Sequence, residues 1–239
     1  MPQPHKEKLT FAASAAANHH RMEGVRDFPD LRCVKINVCF QSLRTLVRLD
    51  SCAKLQQEIY VFEGKRRMLR QLTADDSETL RVFWAEALRS APEYFLLTEA
   101  ELSAIPESSF RNGIENGQYI GAFDKDEELV GFVIARRGSV ERLRHTADIG
   151  PLYVQERSQG QGIGRVLMEN VCERLKADGL LQAELTVDAS NHRAVTLYKS
   201  LGFVEFGLRT RSVIVEQNAR NDLMMMIAFD GTTLETPLF

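Results

Sequence analysis

A mixed α/β sheet of six or seven strands, flanked by helices, is the architecture this sequence predicts. Three observations carry it. From Leu69 onward, short strand-like runs take turns with segments whose apolar residues recur every third or fourth position. A glycine-rich hexapeptide, Gln159-Gly160-Gln161-Gly162-Ile163-Gly164, stands between a strand-like run, Asp148 to Val154, and an amphipathic helix. A second helical segment closes on Gly202 and leads into two late strand-like runs.

Leu69 to Leu72 reads as the first strand of this alternation. Thr73 and Asp76 have the spacing of a capping box and open a helix whose apolar positions include Leu80, Phe83, Trp84, Ala87 and Leu88. Thr98 and Glu101 repeat the cap before a helical stretch that Pro106 interrupts. Gln118 to Phe123 and Glu128 to Ala135 flank the charged turn Asp124-Lys125-Asp126-Glu127, which makes them a hairpin by length. The next strand runs near Ala147 to Val154. Its Gly150-Pro151 step removes a ladder donor, so a bulge is expected there, with the alternation of faces broken across it.

After the glycine loop, Ile163, Leu167, Val171 and Leu175 repeat every fourth residue, and Gly179 ends that helix. Gln182 to Val187 is a strand and Asn191 to Leu201 a helix capped by Ser190 or Asn191. The late strands fall near Val204 to Val215 and Leu223 to Phe229.

Residues 1–66 lack steady periodicity and read as a poorly ordered extension. Leu43 to Leu55 marks at most a short helix, and Ile59 to Phe62 a strand. The recognisable domain spans 67–232, with a tail at 233–239. The extension has a net charge of +4 and residues 67–239 a net −7. An acidic body argues against nucleic acid as a partner and suits an amine substrate. The four cysteines match no zinc spacing, and Cys172 falls on the apolar side of its helix as core filler. Leu9 to Ala17 only faintly imitates a signal peptide and no apolar run reaches the length of a membrane span, so the expectation is a cytoplasmic protein without metal or membrane.

A glycine-rich turn opening a helix gathers unpaired N–H groups and the positive end of the helix dipole, which together bind phosphate. Gly164-Arg165-Val166 lacks the lysine of a Walker loop, and Arg165 stands where a dinucleotide fingerprint needs its third glycine. Read as Gln159-x-x-Gly162-x-Gly164, the segment resembles the pyrophosphate loop of the GNAT superfamily of acyl-CoA-dependent N-acyltransferases. Asn191-x-x-Ala194-x-x-Leu197-Tyr198-x-x-x-Gly202-Phe203 resembles the second signature of the same superfamily. The stretch from Met68 to Asp76 resembles the way many of its chains begin.

The resemblance implies a mostly antiparallel sheet and acetyl-CoA as cosubstrate. It also implies transfer of an acetyl group to the primary amine of a small molecule or protein, by direct attack. Backbone groups of Leu152, Tyr153 and Val154 would pair with the pantetheine arm. The loop Gln159, Gly160, Gln161, Gly162, Ile163 and Gly164 would take the pyrophosphate, with Arg157 or Arg165 beside it, and Asn191 would help hold the cofactor. Tyr198 matches the family's general acid. Asp148 stands where histone-type members carry a catalytic glutamate, one methylene shorter and able to act through a water; pairing with Arg144 or with a neighbouring strand residue is its purely structural alternative. His145 is a second candidate base. A non-catalytic acyl-CoA-binding or sensor domain is the competing function, and a homodimer is an open expectation.

Overall fold

The computed structural model describes the backbone of residues 22–27, 33–38, 57–62 and 65–234, with side chains from Arg67 to Leu234. The short helix expected at Leu43 to Leu55, the signal-like segment and most of the C-terminal tail lie outside the described residues.

Seven strands make the body of the sheet. Three others precede them: Met22–Asp27 (β1), Cys33–Val38 (β2) and Gln57–Phe62 (β3). The seven are Lys65–Gln71 (β4), Tyr119–Phe123 (β5), Leu129–Arg137 (β6), Thr146–Val154 (β7), Gln182–Asp188 (β8), Val204–Val215 (β9) and Asn218–Ala228 (β10). Among the described residues they form one sheet in the order β1-β2-β3-β4-β5-β6-β7-β8-β10-β9. Only β7 and β8 pair in parallel. Their crossover helix is what makes that direction possible. The last strand in the chain is not the last in the sheet, because β10 lies between β8 and β9.

Each face of the sheet carries its own core. Ser77–Ser90 (α1), Glu99–Ala104 (α2) and Glu107–Glu115 (α3) cover one face. There Leu80, Phe83, Trp84, Ala87 and Leu88, the expected stripe of α1, are buried with Phe110, Phe132 and Tyr153. Thr98 caps α2 with a full reciprocal box, accepting from the Glu101 amide at 3.2 Å while the Glu101 carboxylate takes the Thr98 N–H at 2.8 Å. Pro106 separates α2 from α3 as expected.

Ile163–Ala177 (α4) and His192–Ser200 (α5) cover the other face. Ile163, Leu167, Val171 and Leu175 are each at most 4% exposed. Each such side chain contributes roughly 2 kcal/mol by leaving water. Gly179 closes α4 at φ 82°, a left-handed stop that a side chain would strain. Cys172 packs against this core, and burial, with Glu169 and Glu173 nearby, pushes its thiol up to about 12. It is filler, as its position on the helix predicts.

The bulge in β7 is present. Val133 pairs with Leu152 and Ala135 with Ile149, so Gly150 and Pro151 together oppose Ile134. The consequence is visible in the packing: Ala147 and Ile149 belong to the α4 core, whereas Tyr153, of the same parity, belongs to the α1 core. Two strand starts differ from the reading of the sequence, the first being β4, which begins at Lys65 and not Leu69. β10 begins at Asn218, not Leu223, because the two-residue turn Glu216-Gln217, with φ of 47° and 67°, pairs the polar stretch Asn218 to Asp222 directly with β9.

Candidate functional site

The β7–β8 ladder is short. It holds three registered pairs, Thr146 with Gln182, Ala147 with Ala183 and Asp148 with Glu184. Beyond Asp148 the two strands part, and the bulge at Gly150 and Pro151 begins at the same point. The β8-facing edge of Gly150 to Val154 therefore has no strand partner among the described residues, while its other edge stays paired to β6. Such an edge accepts a polar chain as an added strand. Leu152, Tyr153 and Val154, predicted to pair with an acyl carrier, lie along it.

The glycine loop sits at the mouth of this split. Gly160 and Gly162 both take φ of 76°, the left-handed region that favours glycine. Gly162 is the N-cap of α4, no side chain caps that terminus, and the first turn carries no acidic residue. The early amide N–H groups are thus left to face an anion. Gly164 packs in the first turn, where an added Cβ would meet Leu197 at 3.5 Å in ordinary contact. The positions in this loop that require glycine are Gly160 and Gly162, by their positive φ.

Two arginines grip the loop's glutamines from opposite sides. Arg193 on α5 donates to Gln159 Oε1 at 2.7 Å, while Gln159 Nε2 donates to the Val154 carbonyl at 2.9 Å. Arg67 on β4 donates to Gln161 Oε1 at 3.0 Å, and Gln161 Nε2 reaches the Arg157 carbonyl at 3.2 Å. Arg67 is 7% exposed and its Nε has no partner. Nothing in the sequence places Arg67, 94 residues away, beside this loop. The two arginines expected there are engaged elsewhere: Arg157 with Gln155 and Glu128, Arg165 with Ser200 and Glu169.

Asn191 caps α5, its Oδ1 accepting from the Ala194 amide at 3.1 Å. Tyr198, in the middle of α5, is 8% exposed and its ring lies 5.9 Å from that of Phe203. Burial pushes its phenol up to about 12, so it stays protonated across the physiological range.

Asp148 lies on the opposite face from α4, at the floor of the split. Much of its side chain is open to solvent, yet the protein crowding around it holds the carboxyl above the usual aspartate range. Glu184 pushes the same way and Arg136 opposes. Its cationic neighbour is Arg136 on the adjacent strand β6, whose Nη1 is 4.0 Å away. His145 is exposed at the start of β7, its carbonyl accepting from Leu181 at 2.9 Å and from Gln182.

A further group lines the split on β8 and β10. Asp188 is bound by Arg220 and by the Ser190 hydroxyl, and directly opposite it Asp222 is 5% exposed with an unpartnered Oδ2. The i, i+2 spacing of Glu184, Thr186 and Asp188 was the one signal in the sequence that these β8 side chains share a face. Among the described residues no cluster suited to a metal ion occurs, and no helix is long and apolar enough to cross a membrane.

The Acetyltransferase (GNAT) family model matches residues 69–203. A mycothiol acetyltransferase from Streptomyces scabiei is 35% identical over 166 residues, which cover 61% of this chain and 52% of that protein. The chain therefore spans about half the length of that relative. The ribosomal protein bS18-alanine N-acetyltransferase of Escherichia coli is 31% identical over 111 residues, covering 44% of this chain and 74% of the relative. The crystal structure of a phosphinothricin acetyltransferase from Sinorhizobium meliloti, in complex with acetyl-CoA, superposes with a TM-score of 0.58 at 20% identity. It covers 72% of this chain and 93% of that one. The mixed, mostly antiparallel sheet is the architecture of these proteins.

Proposed function

Since the chain belongs to the acetyltransferase (GNAT) family, we propose that it transfers an acetyl group from acetyl-CoA to a primary amine by direct attack, with Tyr198 as general acid and Asp148 as general base. One observation carries the reading. The β7–β8 ladder ends at Asp148 and Glu184, and the uncapped N-terminus of α4 stands at the mouth of the resulting split. A phosphate-bearing thioester fits that arrangement from end to end. Its pyrophosphate would meet the amides from Gln161 to Gly164, its amide-rich arm the free edge of Leu152 to Val154, with Asn191 and the two loop arginines alongside.

The thioester supplies an activated acetyl carbon. The amine nitrogen bonds to that carbon and the carbon–sulfur bond breaks. One proton leaves nitrogen for Asp148, directly or through a water, and one passes from the Tyr198 hydroxyl to sulfur. An aspartate held above its usual range is a better base than a free one. A phenol near 12 is a weaker acid than a free thiol, so its proton moves as the carbon–sulfur bond breaks and not before. Positioning two reactants accounts for most of the rate advantage in such a site.

The test is to incubate the full chain with acetyl-CoA and a panel of amines while following thiol release. Amine-dependent release, with the acetylated amine detected by mass, is expected. Acetyl-CoA binding without release for any amine would leave a binding or sensor domain in its place.

A further inference from the structure

A cavity of about 420 Å³ opens beneath α1 and α3, on the sheet face that carries Asp148. Trp84, Leu97, Ile105, Phe110 and Tyr119 form the apolar part of its lining, Ser109, Asn112, Asn116 and Gln118 the polar part, and Arg136 lines it too. Such a volume holds a small molecule of amino-acid size with room to spare. The cavity meets the proposed reaction centre through Arg136 alone.

The posture of Arg136 is specific. Its Nη1 donates to the Gly150 carbonyl at 2.7 Å and lies 4.0 Å from Asp148 Oδ1. The Nε and Nη2 edge of the same guanidinium has no hydrogen-bond partner among the described residues. That edge is the fork which takes a carboxylate with two parallel hydrogen bonds. A carboxylate and a half-free guanidinium 4.0 Å apart form the complement of a zwitterion: Asp148 for the amino group, Arg136 for a carboxyl group on the neighbouring carbon. The cavity beyond Arg136 would then receive the side chain.

We propose that the acceptor is a free α-amino acid, oriented by the Arg136 fork, with its side chain in the cavity lined by Trp84, Phe110, Tyr119 and Gln118. This rests on the acetyltransferase reading above. A peptide N-terminus or an amino amide presents a neutral group to Arg136 and leaves its fork unmatched. A polyamine presents a second ammonium to it, which like charge disfavours. Ser109, Asn112, Asn116 and Gln118 add polar groups to the lining, and the Trp84 Nε1 is buried without a partner.

The test compares leucine and phenylalanine with leucinamide, phenylalaninamide and spermidine in the thiol-release assay with acetyl-CoA. The free amino acids should exceed their amides in kcat/KM by about 10²-fold or more, the scale on which a site built for a group rejects its absence. Arg136→Gln should bring that ratio close to one while the thermal shift on adding acetyl-CoA persists, showing that the variant is folded and its cofactor loop intact. Asn112→Trp, at an exposed helix position that lines the same cavity, should depress phenylalanine more than alanine. Equal use of amides or spermidine, an unchanged ratio in Arg136→Gln, or acetyl-CoA binding with no amino acid accepted would each overturn the proposal and leave the acetyltransferase reading standing. Loss of the acetyl-CoA shift in the unaltered chain would overturn both.

Discussion

Asp148 and Glu184 face each other on the last rung of the parallel β7–β8 ladder, two carboxylates side by side where the sheet divides. Asp148 has a carboxyl that holds its proton more tightly than usual. Burial comes first among the causes, and the Glu184 charge adds to it.

A base with a raised pKa is active when deprotonated. Turnover should therefore be lost as pH falls through the folded-state pKa of Asp148, at higher pH than an ordinary aspartate would dictate. Glu184→Gln removes the like charge and should shift that acidic limb to lower pH. Asp148→Asn should lower kcat by about 10²–10⁴-fold and recover partly at high pH, where the amine loses its proton unaided. A pH profile of kcat/KM in the three proteins checks this, and identical acidic limbs would remove Asp148 as the base.

Tyr198→Phe removes a hydroxyl needed in the transition state and little used in the ground state. kcat should fall by about 10²–10⁴-fold, ~3–5 kcal/mol of barrier, with acetyl-CoA affinity nearly constant. If Tyr198 only packs against Phe203, the variant will melt lower and turn over normally. Steady-state kinetics at saturating acetyl-CoA with a verified acceptor decides.

Gly162 occupies left-handed backbone at the N-cap of α4. Acetyl-CoA at a hundred times its Kd should stabilise the chain by about 2.7 kcal/mol. Gly162→Val strains the cap and places a branched side chain at the proposed pyrophosphate position, so the thermal shift should vanish. A shift of the usual size in that variant would count against the loop as the phosphate site.

Arg70 and Asp76 meet through two hydrogen bonds of 2.7 Å, both side chains largely covered. Burial works against the Asp76 charge, but Arg70 and the Thr73 N–H and hydroxyl outweigh it and hold the carboxyl below its usual value. The stability this supplies is fully present above the unfolded aspartate pKa and is lost as pH falls through the lower folded value. Asp76→Asn should cost about 2 kcal/mol near neutral pH, between the figures for surface and buried pairs. Chemical denaturation of the two proteins at neutral pH and at pH 3 should show the difference shrinking.

A chain starting at Met68 should fold and bind acetyl-CoA. Met68 to Gln71 hold every rung that pairs β4 with β5, and Arg70 leaves a charge on the newly opened strand. Among the described residues, both cores are built from Met68 onward. The loss of Arg67 from Gln161 should weaken acetyl-CoA binding measurably without unfolding the domain. Insolubility or a non-cooperative melt would show that β1 to β3 complete the core.

Local periodicity made most of the fold readable. The buried stripe of α4, the two capping boxes, the β5–β6 hairpin and the bulge at Gly150 each follow from residues within a few positions of one another. The candidate site was half readable for the same reason: the glycine loop and the Asn191–Tyr198 segment are local patterns. Arg67, Arg136 and Glu184 carry no such pattern, since each matters through a neighbour brought to it by strand register. The start of β10 escaped because Asn218 to Asp222 are polar and held in the sheet by pairing alone, behind a turn that contains no glycine.

The insertion of β10 between β8 and β9 sets a rule for synthesis. Met225, fully buried in the α4 core, arrives after nearly everything it touches. Until it emerges from the ribosome, β8 has an open edge, β9 has no neighbour to join, and the wall of the split nearest Asp188 does not exist. The phosphate loop can take shape early from nearby residues, but the acceptor side of the cleft closes only with the final strand. Nascent chains cut short before Ala228 should therefore be sticky and inactive rather than partly active, with the exposed edge of β8 as the point where they adhere.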